Sequence, residues 1–389
     1  MALILTFLGK GGTGRTTVAI AAAKRLSSQG RRVLLVNQDP GPSLGLLLNV
    51  ELGCDPQEIA PNLQVVQLQT ATMLERSWDE VKGIEAQYLR TPVLKAVYGQ
   101  ELGVLPGMDS ALALNALREY DASDRYDVII YDGPGDQTTL RMFGMPEMAS
   151  WYIRRFRQVF ADSDVGRALS PFIQPVSSAI LNVNLLGDTF AQPTQQANNI
   201  LNEGIEAIAN PTRVAAYLVT TGDPAAIATA RYLWGSAQQI GLTVGGILIN
   251  ESVIADSIAA QFAPAFEKLF EAYDPGASIA ELVGQTFSPL PVASLPARAD
   301  GNWDGLMAAM PDFGQAAQAP RPVTIDVAER KVHLFLPGFD KKQVKLTQYG
   351  PEVTIEAGDQ RRNVALPPAL SGRQVTGAKF QNGYLTISF

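Results

Sequence analysis

The apolar run LILTFL, Leu3 to Leu8, leads into Gly9, Lys10, Gly11, Gly12, Thr13, Gly14, Arg15, Thr16 and Thr17, and the helical run VAIAAAKRL, Val18 to Leu26, follows directly. Strand, glycine-rich turn and helix in that order make a phosphate cradle. The glycines let backbone N–H groups converge on oxygens, and the helix N-terminus adds its positive dipole end. The spacing is that of G-x-x-x-x-G-K-[ST] with one change: Arg15 stands where lysine is expected, and a lysine, Lys10, follows the first glycine instead. Thr16 keeps the hydroxyl that ligates Mg²⁺ in such loops. Arg15 has two open readings, a phosphate contact or a solvated helix residue.

Outward from this loop the chain reads as further strands and helices of a doubly wound parallel α/β fold. Val33 to Val36 is a second β-rich run and ends at Gln38, Asp39 and Pro40. Ligands bind outside the carboxyl ends of such strands, which brings Asp39 beside the phosphates. It either orients an attacking water, joins the Mg²⁺ shell or caps a turn. Leu63 to Leu68 reads as a short strand and Ala71 to Tyr88 as a helix. Glu101 to Met108 reads as a strand entering a turn, with Asp109 capping a helix from Ser110 to Tyr120. The buried-strand run closing on Asp132, Gly133, Pro134 and Gly135 carries a second carboxylate, and Asp132 is read as holding Mg²⁺ through water. The Gly-Pro-Gly stretch suits a loop that approaches a γ-phosphate and moves when it leaves. Arg213 to Val219 and Gly246 to Ile249 are the next sheet strands.

Composition narrows the function classes. The 389 residues carry a formal net charge of -7 and an isoelectric point near 5.0, which argues against nucleic acid as a partner because duplex binding relies on a basic footprint. Cys54 is the single cysteine and His333 the single histidine, which excludes a disulfide framework, a Cys/His zinc site and a His-based triad within one chain. The opening strand is not a signal peptide and no apolar stretch reaches membrane-spanning length. The expected setting is a soluble, cytoplasmic one.

Together these motifs resemble the arsenite-pump and tail-anchored-protein-targeting ATPases. Lys10 to Thr16 is similar to their deviant Walker A motif. Gln38 to Leu44, Pro61 to Leu63, Leu105 to Asp109, Asp127 to Asp132 and Thr139 to Arg141 look like further stretches of that family, over about residues 1–310. The resemblance implies an ATP-dependent homodimer with Mg²⁺, in which Lys10 acts across the dimer on the partner's nucleotide and Asp39 positions the hydrolytic water. Thr16 then ligates Mg²⁺ and Asp132 occupies the outer metal shell. It also implies adenine contacts from Asn250 and from the loop Pro289, Leu290 and Pro291. Departures are Arg15, a switch II that reads Gly-Pro-Gly-Asp-Gln-Thr, and the absence of the cysteines that hold zinc or metalloid in some members. No guanine-reading Asn-Lys-x-Asp tetrad occurs, so ATP is expected over GTP.

An insertion at about residues 140–210 follows switch II. Met142, Met145, Met148, Trp151, Tyr152, Phe156 and Phe160 recur at helical spacing with arginines between them, and Leu169 to Leu186 reads as short, broken helices. An apolar stripe usually means burial. The alternative is a hydrophobic groove lined by Met142, Met145, Met148, Trp151, Tyr152 and Phe156, adaptable because methionines repack around varied ligands. In the resembling family this region receives a transmembrane segment, which implies hydrophobic client proteins and a membrane receptor. Residues 311–320, rich in Gln, Ala, Pro and Gly, read as a linker. Residues 321–389 then alternate with period two (Val323, Ile325, Val327; Val332, Leu334, Leu336; Val353, Ile355; Tyr384, Thr386) as short strands of a β-sandwich. That segment resembles the α-crystallin domain of small heat shock proteins. Three function classes follow: a chaperone or targeting ATPase, an oxyanion-pump ATPase subunit, and a slow nucleotide-gated switch or scaffold.

Overall fold

The computed structural model describes residues 1–88, 94–161, 191–251, 265, 278–298, 301–349 and 352–389. The proposed broken helices at Leu169 to Leu186 lie outside these residues. Eight strands form one sheet in the order β3-β4-β2-β5-β1-β6-β7-β8: β1 (Leu3–Leu8), β2 (Val33–Asn37), β3 (Gln57–Ala60), β4 (Leu63–Gln67), β5 (Val128–Asp132), β6 (Val214–Thr220), β7 (Val244–Asn250) and β8 (Val292–Leu295). All neighbours are parallel except β3, an antiparallel edge strand that the sequence did not announce. The central strands are continuous apolar runs because helices cover both faces of the sheet.

One face carries α1 (Arg15–Ser28), whose Val18, Ala19, Ile20, Ala22 and Ala23 are buried against Leu5, Phe7, Leu35 and Ile130. The other carries α4 (Met108–Ala122), α5 (Gln137–Ala161) and α7 (Pro224–Gln239), with Leu117, Leu140, Phe143, Leu233 and Trp234 in a second core. The remaining described helices are α2 (Ser43–Leu48), α3 (Thr70–Tyr88), α6 (Ala191–Ala209), α8 (Ile279–Thr286) and α9 (Asp304–Ala309). Glu101 to Met108 is not a strand. A 3-10 turn ends at Glu101 and α4 starts at Met108, with left-handed Gly107 (φ 89°) as its N-cap in place of Asp109.

Two smaller sheets complete the chain. One has the order β14-β15-β10-β9 and the other β11-β12-β13, from β9 (Val323–Asp326), β10 (Lys331–Phe335), β11 (Val344–Tyr349), β12 (Glu352–Ala357), β13 (Gln360–Ala365), β14 (Gly377–Gln381) and β15 (Tyr384–Ser388). Val332, Leu334, Val353, Ile355, Leu385 and Ile387 meet between them. The period-two reading holds in β10 and β12 but not at β9, where Ile325 and, just after the strand, Val327 are exposed, and it shifts face in β15: Leu385 and Ile387 point inward, while Tyr384 stacks on Phe335 with ring centroids 4.7 Å apart.

The expected linker is packed. Residues Phe313–Gln318 form a 3-10 helix, and Phe313 is buried edge-on to Phe7 at 6.1 Å and to Tyr217 at 4.9 Å. Tyr217 donates its hydroxyl to the Phe313 carbonyl at 3.1 Å. The small residues around it, read as a linker, let this turn lie close on the sheet; Ala316 sits over Gly245. Phe313→Ala is expected to destabilise the chain by about 3–5 kcal/mol, the usual loss for a large buried aromatic. Denaturant unfolding measures this, and a free tether would show almost no change.

Candidate active site

The site forms where the carboxyl ends of three adjacent strands meet. Asn37 of β2 lies in register with Asp132 of β5, and Thr6 of β1 with Tyr131. From β1 the chain turns through Gly9 to Gly14 into α1. Gly12 (φ 84°) and Gly14 (φ 90°) take the left-handed conformation that only glycine adopts cheaply. A Cβ on Gly14 would collide with the Asn250 side chain, and one on Gly9 with the Val219 carbonyl. Thr13 is buried and ties the loop to itself through Oγ1 and the Lys10 carbonyl at 2.9 Å.

Thr16 and Asp132 are brought together as expected. The Thr16 hydroxyl donates to the Asp132 carboxylate, and Asn37 Nδ2 donates to Asp132 Oδ2 at 3.0 Å. Burial pushes the Asp132 carboxyl above the usual carboxylate range; the two hydrogen bonds and the nearby Arg15 charge pull the other way. A buried carboxylate one hydrogen bond from the P-loop hydroxyl fits a Mg²⁺ ion held by Thr16 directly and by Asp132 through water. Such an ion, when bound, neutralises charge on the β- and γ-phosphate oxygens.

Arg15 is not a solvated helix residue but half-buried at the foot of the loop. Its Nη1 donates back to the Gly9 carbonyl, and its side chain runs beneath Gly135 (φ 65°), where an added Cβ would lie 2.6 Å from Arg15 Nε. Burial lowers the pKa of its guanidinium, opposed by the charges of Asp132 and Asp136. Arg15 therefore braces the phosphate loop against switch II. Gly9 N–H donates to the Gly135 carbonyl at 2.9 Å across the same junction.

Lys10 and Asp39 stand at the rim. Lys10 is half-exposed, and its Nζ lies 3.7 Å from Asp223, the N-cap of α7. Asp39 is exposed and closes its own turn by accepting the Gly41 N–H at 2.8 Å. Gln67 of β4 holds that turn from behind, donating to the carbonyls of Asp39 at 2.8 Å and Gly41 at 2.7 Å. Asn37, Gln67 and Asp223 were not singled out from sequence. Each is a common polar residue whose role exists only because neighbouring strands are far apart in the chain.

Asn250, at the end of β7, donates from Nδ2 to the Thr13 carbonyl at 3.0 Å and so supports the loop directly. The expected contact from Pro289, Leu290 and Pro291 is corrected by topology. In the parallel pair β7–β8, Ile247 aligns with Val292 and Asn250 with Leu295. The three residues precede β8 and lie at the end of the sheet opposite the phosphate loop. Leu290 is buried in the core, and the Pro291 carbonyl accepts from Ile247 N–H at 3.0 Å. The segment that leaves β8 at the phosphate side is Pro296 to Arg298. A loop before a strand and a loop after it look alike in sequence; only strand direction separates them.

The family model described as anion-transporting ATPase matches residues 2–305. The chain belongs to the anion-transporting ATPase family. A second model, described as the HSP20-like domain found in ArsA, matches residues 328–389 and coincides with β10 to β15. A protein of Chlorobaculum tepidum named as a candidate arsenical pump-driving ATPase is 26% identical over 99% of this chain and 95% of its own length. An uncharacterized protein of Streptomyces coelicolor is 29% identical over 99% of this chain and 96% of its own. The Escherichia coli arsenical pump-driving ATPase is 30% identical over 38% of this chain and 26% of its own length. As a member of this family the chain is an ATP hydrolase.

The helix that leaves switch II carries the expected apolar stripe and splits it between two faces. Met142 is 1% exposed and points into the core beneath the sheet, so it lines no groove. Met145, Met148, Trp151 and Tyr152, with Arg141, Glu147 and Arg155 among them, form one wall of a cleft whose other wall is the charged and polar face of the sheet β11-β12-β13. Met148 is 43% and Tyr152 56% exposed. Phe156 lies outside the residues whose side chains are described. The rotation follows from helical geometry: 142 and 143 fall on the sheet side, 145, 148 and 152 on the far side. Among the described residues no helix is long and apolar enough to cross a membrane.

Proposed function

We propose that the chain is one half of an ATP-dependent homodimer that shields hydrophobic, tail-anchor-like segments of other proteins and hands them to a membrane receptor. The observation that carries this reading is the wall of Met145, Met148, Trp151 and Tyr152 on the helix that begins at switch II. Exposed apolar patches of this kind mark interaction sites, and methionines suit clients of varied shape. The cleft lies within one chain, between α5 and the HSP20-like domain, so each protomer offers its own wall. Gain or loss of the γ-phosphate moves the Gly133 to Gln137 loop and with it the start of α5. In the dimer Lys10 reaches the partner's phosphates, since C₂ symmetry supplies both contacts at once.

The test uses the full-length protein, Mg-ATP and a peptide carrying one apolar helix. Replacing the exposed Met148 and Tyr152 together by glutamine is expected to abolish protection of the peptide from aggregation, with ATP affinity unchanged. Protection equal to the parent removes the reading. A second reading, a subunit of an oxyanion pump, is favoured by the names of the relatives. Stimulation of ATP turnover by arsenite or antimonite supports that reading, and Cys54, held beside Arg76 at 3.5 Å, is the single thiol available to it.

A further inference from the structure

The HSP20-like domain is joined to the ATPase at two kinds of contact. The first is apolar. Phe335 enters the ATPase core edge-on to Trp234 at 5.5 Å, and Gly235 of α7 lies so close to the Pro337 carbonyl and the Phe339 ring that a Cβ would clash. The second is polar and runs along the switch II helix, from Gln137 at its first residue through Arg141 and Glu147 to Trp151 and Arg154. Gln137 Nε2 donates to Ser236 Oγ of α7 at 2.9 Å, and its Oε1 accepts from Gln360 Nε2 at 2.7 Å. Gln360, the first residue of β13, is itself held by Gln239, whose Nε2 donates to its carbonyl at 2.9 Å.

Gln137 is one residue from Asp136 and two from Gly135, whose carbonyl accepts from Gly9 of the phosphate loop at 2.9 Å. The domain's grip thus reaches the nucleotide loop through a short run of hydrogen-bonded backbone. The polar contact also holds spare capacity: Gln239 Oε1, Gln360 Oε1 and one Arg362 guanidinium nitrogen are buried without a partner among the described residues. Buried groups left in this way make an interface able to exchange one hydrogen-bond set for another. The apolar contact at Phe335 is one of ring against ring on Trp234.

We propose that Gln360 of the HSP20-like domain and Gln137 are positioning residues for ATP hydrolysis, so that the appended domain sets the place of switch II over the γ-phosphate. The proposal rests on the family's ATP hydrolysis and is independent of what the cleft captures. Both residues act through the loop Gly133 to Asp136, and neither touches substrate.

The experiment compares full-length Gln360→Ala and Gln360→Asn with Asp359→Ala. Asp359 pairs with Arg141 at 2.6 Å on the same helix, but with side chains 72% and 59% exposed; an exposed pair contributes little. Both Gln360 variants are expected to change kcat at least fivefold with Mg-ATP affinity within twofold, and Asp359→Ala to stay within twofold on both. A second readout is Trp151, whose indole N–H donates to Glu352 of the appended domain at 2.7 Å. Its fluorescence response to ATP, isolated by difference with Trp151→Phe, is expected to fall by half or more in the Gln360 variants. If Gln360→Ala also lowers Tm, Gln360→Asn decides, since it keeps the amide and shortens its reach. A Gln360→Asn protein with parental kcat and parental Trp151 response overturns the proposal.

Discussion

Lys10→Ala binds Mg-ATP within a few-fold of the parent and hydrolyses it at least about 100-fold more slowly, the usual loss when one preorganised charge facing the transition state is removed. The expectation follows from where the side chain sits. Within one chain Lys10 is half-exposed and 3.7 Å from Asp223, at the rim of the loop and not over its floor. Backbone N–H groups from Gly11 to Thr16 and the start of α1 remain to hold the phosphates, so affinity survives. Catalysis is lost because the lysine belongs, on the proposed dimer, to the partner's γ-phosphate. Asp39→Asn is expected to match it: the amide oxygen still accepts the Gly41 N–H that closes the turn, while the carboxylate proposed to orient water is gone. Sedimentation and steady-state kinetics check both. A monomer of Lys10→Ala with full turnover removes the assignment across the dimer.

Asp132→Asn is expected to abolish Mg²⁺-dependent hydrolysis and at the same time raise the Tm of the nucleotide-free protein. The two effects have one cause. Asp132 is 5% exposed and burial disfavours its charged form, so the isolated fold carries the cost of a carboxylate that we propose serves the metal. Asparagine keeps the volume, accepts from Asn37 and offers an N–H to Thr16, and it removes the buried charge. For a carboxyl whose folded pKa is raised, stability is greatest below its unfolded pKa and declines as pH rises toward the folded value. The Tm advantage of Asp132→Asn over the parent is therefore expected to shrink as pH falls into the ordinary carboxylate range. Calorimetry without nucleotide at several pH values reads this, and a Tm below the parent's at neutral pH contradicts it.

The phosphate loop, Thr16 and Asp132 were legible because their information is local. A strand, a glycine turn and a helix start within the first 28 residues, and each carboxylate follows an apolar strand. The β-sandwich was legible for the same reason, through period-two alternation. The reading at Pro289 to Pro291 failed where local pattern carries no direction, since proline flanks β8 on both sides. The reading at residues 311–320 failed because composition describes what a segment would do alone, while Phe313 has a place between Phe7 and Tyr217.

What the sequence by itself determined is the phosphate-loop pattern and the identity of the chain's two parts, an α/β ATPase and an appended sandwich. Backbone conformation and hydrophobic period act over a few residues, and a single chain carries them openly. Only the tertiary structure decided which surfaces meet. Arg15 turns back beneath switch II, Met142 faces the core while Met148 faces the cleft, and Gln360 reaches Gln137 from a strand 223 residues away. These contacts join parts of the chain whose residues carry no mark of one another. The last of them exists because Phe335 and Gly235 fix how the sandwich sits on α7, a matter of shape and packing that no local pattern encodes.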